Sequence, residues 1–156
     1  MNRIRAAYIL ILAFSLLWCS SFLLYPCLVR SGKTHPAFAL HFFFSHICHQ
    51  KPERSLSWQG IPLPICTRCL GAYAGWTLAI LLFPLLRGGL QKGQRSLLGF
   101  LLSSALMLLD VLLQWLGFWE GSLSRLLTGG SFGFFLGLTV MGQIWRSPSK
   151  GGQTAP

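Results

Sequence analysis

The chain has 156 residues, of which 53% are hydrophobic and only 10% are charged, against about 25% charged residues in soluble domains. Its 13 Lys and Arg residues outnumber 3 Asp and Glu residues, but they stand singly at the ends of apolar runs, where basic side chains anchor helices among lipid headgroups. This pattern argues against a soluble domain and against nucleic-acid binding. It predicts an all-α integral membrane protein whose main partner is the lipid bilayer.

The first predicted transmembrane span covers residues 6–29, after a short basic segment. The apolar run is longer than the roughly 7–15 residues of a secretory signal and lacks a small-residue cleavage site, so we expect a retained helix. Residues 37–49 are predicted to form an interfacial or re-entrant helix, too short to cross about 30 Å of hydrocarbon. Its polar residues share one helical face, which we expect to turn towards protein: His41, Ser45, Cys48 and His49.

Three further spans are predicted over residues 68–86, 97–118 and 128–145, with a basic turn at 87–95 and a short polar hinge at 120–127. Together with the first span they form one helical membrane domain over residues 1–145, followed by a polar tail at 146–156. Four spans place both termini on one side and the loop between the first two spans on the other. The basic N-terminus and turn favour cytoplasmic termini in the cell membrane, with that loop on the outer side.

Small residues repeat at four-residue spacing in the second and fourth spans. Such stripes let helix backbones approach closely in lipid, so we expect these two spans to pack together. The residues are Gly71, Gly75 and Ala79 in one span and Gly129, Gly133 and Gly137 in the other.

A polar stretch between the first two spans holds three of the five cysteines. Cys66-x-x-Cys69 is a two-ligand clip whose sulfurs can converge on one ion, and Cys48 offers a third thiolate. His49, or His46 in its place, would complete a Cys₃His set suited to tetrahedral Zn²⁺. The sequence thus predicts a metal site at the membrane surface.

The same cysteines permit two other interpretations. Cys66 and Cys69 could form a disulfide or carry out thiol–disulfide exchange, with Arg68 between them favouring the thiolate. The third possibility is an anionic-lipid or polyprenyl-phosphate binding or transport protein, in which cationic side chains contact phosphate. The candidate contacts are Lys51, Arg54, Arg68 and Arg125. Whether the protein is an enzyme is left open.

Asp110 is the second unusual feature, because it lies roughly 12 Å inside the third span at 1.5 Å per residue. An ionisable residue at such depth is costly and is by default a functional-site hypothesis. Gln114 lies one turn further along the same face, and Arg125 at the start of the fourth span is the expected partner. Asp110, Gln114 and Arg125 are therefore candidate catalytic residues, although a structural ion pair remains the alternative.

These residues together resemble a family of small, uncharacterised prokaryotic membrane proteins classed as a domain of unknown function. The family pattern C-H-Q-x-P-x-R-S matches residues 48–55, and P-x-C-x-R-C-x-G-x-Y-x-G matches residues 64–75. An Asp with a Gln four residues on falls at Asp110 and Gln114, and R-x-x-T-G falls at 125–129. The resemblance covers roughly residues 48–137 and implies a membrane fold without implying an activity. His41 and His46 match no part of the pattern, and Ser122 stands where the family often has Asn.

Overall fold

The computed structural model describes residues 2–86, 94–118 and 121–146. Most of the predicted basic turn at 87–95 lies outside these residues. The predicted polar tail lies outside them except for its first residue, 146. The chain forms five α-helices, a 3₁₀ turn and a two-stranded hairpin: α1 (Asn2–Arg30), α2 (Thr34–Ser45), the 3₁₀ turn (Pro52–Arg54), β1 (Ser57–Trp58), β2 (Ile61–Pro62), α3 (Thr67–Leu86), α4 (Gln94–Trp115) and α5 (Ser122–Arg146).

Four helices are long and apolar enough to cross a membrane, at Ile4–Arg30, Thr67–Leu86, Arg95–Trp115 and Ser122–Trp145. The predicted fold class, a helical integral membrane protein with four spans, is confirmed. The fourth span was predicted to begin at residue 128, but α5 already begins at Ser122. Most of the predicted polar hinge at 120–127 is therefore helical, because a helix can extend past the apolar part of a span into the polar surface layer.

The prediction for α2 was wrong in two respects. The helix covers Thr34–Ser45, not residues 37–49, so Cys48 and His49 lie beyond its end. The predicted polar face is also turned outward, since His41 and Ser45 are exposed. The helix instead buries Ala37 and Phe44 against α1, because burying aromatic surface releases more free energy than burying imidazole and hydroxyl groups.

The pairing of α3 with α5 is the closest in the bundle, and the glycine stripes explain it. A Cβ on Gly129 would collide with the Arg68 carbonyl oxygen, and a Cβ on Gly133 would collide with that of Ala72. A Cβ on Gly137 would lie 2.8 Å from the Cβ of Ala79. The predicted close packing of these two helices is confirmed, and it depends on the missing side chains.

The other two spans flank this pair, so the order across the bundle is α1, α3, α5, α4. On one side, Trp76 Nε1 of α3 donates a hydrogen bond to Ser15 Oγ of α1 at 3.1 Å. On the other, the rings of Phe100 in α4 and Phe132 in α5 lie 5.5 Å apart. Both termini of the four-span bundle consequently lie at one end. We call the opposite end, which carries the α2–α3 loop and the α4–α5 connection, the motif end.

The loop from α2 to α3 folds back on itself instead of running freely. Ser57–Trp58 pairs antiparallel with Ile61–Pro62 across a two-residue turn at Gln59 and Gly60, both with positive φ (52° and 83°). Such a turn matches the twist of a tight hairpin. The hairpin shortens the path between the end of α2 and the start of α3, so residues from these two places meet.

Candidate metal centre and intramembrane polar cluster

Three cysteine thiols converge at the motif end. The Sγ atoms of Cys48, Cys66 and Cys69 all lie within 4.8 Å of one another, and the three residues range from buried to partly buried. Cys66 precedes the first residue of α3 and Cys69 lies in its first turn, while Cys48 comes from the other side of the hairpin loop. We call these three residues the thiol cluster. They are free cysteines in the structure.

Gln50 holds the two sides of the thiol cluster together. Its side-chain Nε2 donates hydrogen bonds to the His41 carbonyl and to the Pro64 carbonyl, both at 2.8 Å. Its backbone adopts a left-handed conformation with φ of 48°, which is uncommon for a residue other than Gly. This conformation turns the chain out of α2 and directs the side chain across the loop. Sequence reasoning overlooked Gln50, although it is the third residue of the C-H-Q motif.

The electrostatics of the thiol cluster favour a thiolate. The thiol of Cys69 donates a hydrogen bond to Cys66, and backbone N–H groups and Cys48 assist, so the pKa of Cys66 falls from 9.0 to about 5 although burial opposes this. The backbone N–H of Cys66 in turn donates to Cys48 Sγ at 3.1 Å. Hydrogen bonds to the charged form are a principal means by which proteins stabilise thiolates.

The predicted fourth ligand is not part of this group. His49 is exposed and its ring lies outside the set of converging atoms. His46 is also exposed, and its Nδ1 lies 2.8 Å from the Phe42 carbonyl. Cys19 lies away from the cluster, with its Sγ 3.2 Å from Thr77 Oγ1. The structure thus brings together three of the four predicted metal ligands.

A second group of polar side chains lies between α3, α4 and α5. Arg68 Nη2 donates to Asp110 Oδ2 at 2.6 Å and to Gln114 Oε1 at 3.1 Å. Arg125 Nε donates to the same Gln114 oxygen at 2.6 Å, and Thr128 Oγ1 contacts Asp110 Oδ2 at 3.3 Å. We call these five residues the polar cluster. It joins the three predicted catalytic residues into one network.

The predicted partner of Asp110 was wrong. Asp110 forms its ion pair with Arg68 of α3, whereas Arg125 hydrogen bonds to Gln114. The physical reason lies in the close α3–α5 contact, which places the first turn of α3 beside the last two turns of α4. Arg68 therefore connects the two clusters, because it stands between Cys66 and Cys69 in the chain while its guanidinium reaches α4.

The remaining predicted anion contacts lie at the surface of the loop. Lys51 and Arg54 are exposed, and Arg54 takes part through its backbone, since Thr67 Oγ1 donates to its carbonyl at 2.8 Å. This bond fixes the loop to the start of α3. Thr67 is buried and was not singled out from the sequence, where a Thr inside a Cys-x-x-Cys motif carries no distinct signal.

Fold and site together define an α-helical, multi-pass membrane protein with a three-cysteine cluster at one end of its bundle. The chain belongs to the family described as predicted membrane protein DUF2085, which matches residues 48–139. This match begins at Cys48 and includes both clusters.

Two curated relatives are themselves described as uncharacterised. One from Methanocaldococcus jannaschii is 29% identical over 85 residues, covering 51% of this chain and 54% of the relative. Another, from Methanothermobacter thermautotrophicus, is 53% identical over 32 residues, covering 20% of this chain and 29% of the relative. The chain thus spans about half of one relative's length and less than a third of the other's. No solved structure matches the chain closely.

Proposed function

We propose that this membrane protein binds a thiolate-preferring metal ion, Zn²⁺ foremost, through Cys48, Cys66 and Cys69 at the motif end. The observation that carries the proposal is the convergence of three thiols, from two separate parts of the chain, within 4.8 Å. A disulfide needs two cysteines, whereas a third thiol at the same point is typical of a metal site.

The spacing suits a tetrahedral ion. With Zn–S bonds of about 2.3 Å, neighbouring sulfurs around zinc lie about 3.8 Å apart. The observed upper limit of 4.8 Å therefore requires an inward shift of about 1 Å at most. The backbone N–H of Cys66 donates a hydrogen bond to Cys48 Sγ. Outer-sphere hydrogen bonds of this type orient and stabilise thiolate ligands.

Three thiolates leave one position of a tetrahedral ion for a further ligand. Water or a small substrate can take this position, as in zinc sites that support a reaction, and His49 can take it only by a change in conformation, since it lies outside the group. We propose the three-thiolate arrangement with water as the resting state. Three thiolates and Zn²⁺ carry a net charge of −1, which the backbone N–H of Cys66 stabilises by donating to Cys48 Sγ.

Elemental analysis of the purified protein tests this proposal. The wild type is expected to contain one zinc per chain, and Cys48→Ser, Cys66→Ser and Cys69→Ser should each lose most of it, because the site has no replacement thiolate nearby. Cys27→Ser is the matched control, since Cys27 is exposed and outside the cluster. His49→Ala should retain the metal. Equal zinc in the wild type and the Cys66→Ser variant would refute the site.

A second candidate function, thiol–disulfide exchange, is favoured by the low pKa of Cys66. The Cys66 thiolate would attack a substrate disulfide, Cys69 would resolve the mixed disulfide, and two electrons would pass to the substrate as Cys66 and Cys69 become a disulfide. Under this function Cys48→Ser would leave exchange intact, whereas metal binding requires all three thiols. Thiol trapping of the protein taken directly from cells distinguishes an oxidised pair from a metal-protected one.

The catalytic role predicted for Asp110, Gln114 and Arg125 stays a prediction. We propose in addition that the polar cluster fixes α3, α4 and α5 at the motif end. The hydrogen bonds from Arg68 to α4 and from Arg125 to the same Gln114 support this role.

A further inference from the structure

A groove runs along the membrane-embedded part of the α3–α5 pair, beside α1. It encloses about 560 Å³, within the roughly 300–1,000 Å³ of ligand pockets. Its lining is almost wholly apolar and includes Leu10, Phe14 and Trp18 of α1, Trp76 of α3, and Phe132 and Leu136 of α5. From Trp18 to Leu10 it extends about 12 Å along α1. Leu10 and Phe14 are exposed, so the groove opens sideways, where lipid surrounds the bundle.

The groove ends beneath the polar cluster. Ala72 and Phe132 line it, and Arg68 and Thr128 lie four residues, or about 6 Å of helix, closer to the motif end. Both of these residues bond to Asp110. A molecule whose apolar part fills the groove would thus place its other end at the polar cluster.

Hydrogen-bond donors without acceptors mark this end of the groove. In the ranges that the structure describes, two buried side-chain nitrogen or oxygen atoms lack a partner, and they are Trp18 Nε1 and Arg68 Nε. Both are N–H donors. Trp18 lines the groove, and Arg68 begins the turn above it. A buried donor without a partner is destabilising, and an acceptor group on a bound molecule would satisfy such a donor.

The charge of the polar cluster points to an anionic acceptor. It contains two guanidinium groups, on Arg68 and Arg125, and one carboxylate, on Asp110. Arg125 is only 6% exposed, and its bond to Gln114 provides no counter-charge. Within the described part of the chain, the only other acidic residue is Glu53 in the exposed loop. The described cluster therefore carries one surplus positive charge at the edge of the groove.

We propose that this groove binds the apolar chain of a phosphate-bearing membrane lipid, and that the lipid phosphate accepts hydrogen bonds from the donors at its motif end. A lipid reaches the groove from the side without crossing water. Its phosphate supplies both the acceptors and the negative charge that the site lacks, since Arg and phosphate pair favourably. This proposal does not depend on metal at the thiol cluster.

Lipid binding to the full-length protein, as purified in a neutral detergent, tests the proposal. The probes are phosphatidylglycerol, diacylglycerol with the same acyl chains, and inorganic phosphate. Phosphatidylglycerol is expected to bind about tenfold more tightly than diacylglycerol, which corresponds to about 1.4 kcal/mol. Inorganic phosphate at the same concentration should give no comparable thermal shift, because it does not fill the groove.

Matched variants locate the site. Leu10→Trp places a large ring in the groove and should weaken phosphatidylglycerol binding about tenfold. Leu17→Trp is its control, since Leu10 and Leu17 lie on the same helix and are 70% and 71% exposed, but Leu17 does not line the groove. Trp18→Phe keeps an aromatic ring and removes only the N–H donor, so it should weaken phosphatidylglycerol and leave diacylglycerol unchanged.

Three results would overturn the proposal: equal affinity for phosphatidylglycerol and diacylglycerol, an equal shift with inorganic phosphate, or equal effects of Leu10→Trp and Leu17→Trp. Helical circular dichroism of each variant serves as the folding check, and zinc content is measured separately. If Leu10→Trp does not fold, Trp18→Phe decides alone by its effect on phosphatidylglycerol relative to diacylglycerol. A protein without zinc but with this lipid selectivity would refute the metal site and leave the lipid site intact.

Discussion

Replacing Asp110 with Asn removes the carboxylate that pairs with Arg68 while keeping the size and polarity of the side chain. The two groups are 2.6 Å apart, with 9% of the Asp110 side chain and 21% of the Arg68 side chain exposed. At an effective dielectric constant of about 20, charges about 4 Å apart attract by about 4 kcal/mol. Removing one partner of such a buried pair typically costs about 3–5 kcal/mol. We expect a loss of about 3 kcal/mol, because Arg68 keeps its bond to Gln114.

The double variant Asp110→Asn with Arg68→Gln separates the pair from its surroundings. Either single change leaves an uncompensated group, but the double change leaves two neutral amides that can bond to each other. The double variant should therefore be more stable than the sum of the single changes by about 2 kcal/mol. Reversible unfolding in detergent, followed by circular dichroism for the four proteins of the cycle, measures this coupling.

Arg54→Gln with Asp110→Asn is the control cycle, since the Arg54 side chain is exposed in the loop, and its coupling should stay below about 0.5 kcal/mol. If the Arg68–Asp110 cycle gave no more than this control, the ion pair would contribute nothing to stability. A catalytic role for Asp110 would then be the better explanation of its burial.

Three further experiments test other parts of the structure. Gln50→Ala should weaken zinc binding about 10–100-fold, because the two ends of the loop lose the donor that they share. Competition with a chelator measures this affinity, and an unchanged value would show that the hairpin alone aligns the thiols. Gly133→Ala should destabilise the fold by more than about 1 kcal/mol, because its Cβ meets the Ala72 carbonyl. Its control, Gly142→Ala, has open space around the added Cβ and should be neutral or slightly stabilising in a helix. Equal melting temperatures for these two variants would contradict the close α3–α5 contact. In metal-free protein, alkylation of Cys66 should reach half its maximal rate near pH 5, since the lowered pKa keeps the thiolate present as the pH falls. A midpoint near pH 9 would contradict the hydrogen bonds that stabilise the Cys66 thiolate.

The sequence was sufficient to predict the spans because their apolar length and composition are local properties. Span boundaries differ by a few residues, the largest difference being the early start of α5 at Ser122. The close packing of α3 and α5 was also predictable, since Gly129 and Gly133 leave a smooth surface whatever the partner. The partner of Asp110 was not predictable in this way. Arg68 is 42 residues away in the chain, and helical periodicity gives the face of a residue but not which helix lies opposite.

The site was only partly predictable for a related reason. A Cys-x-x-Cys motif fixes the spacing of Cys66 and Cys69, so the clip could be inferred locally. The position of Cys48 depends on the hairpin at 57–62, whose strands of two residues each are too short to produce an alternating pattern. His49 was predicted as the fourth ligand because an imidazole would complete a tetrahedral Cys₃His set. Its side chain is exposed instead, since adjacent residues point in different directions and α2 has already ended at Ser45.

The contact between α3 and α5 also sets the order in which the protein can be assembled. Ribosomes deliver α3 before α5, with α4 between them, so the glycine face of α3 lacks its α5 partner until α5 has been synthesised. Until then Arg68 can pair only with Asp110 and Gln114 of α4. The carbonyl groups of Arg68 and Ala72, which lie against glycines of α5 in the folded protein, lack that contact. A chain that stops after α4 would therefore contain all three cysteines, Arg68 and Asp110, but not the helix against which both α3 and α4 pack. For this fold, the insertion of α5 is the step that closes the α3–α5 and α4–α5 contacts together.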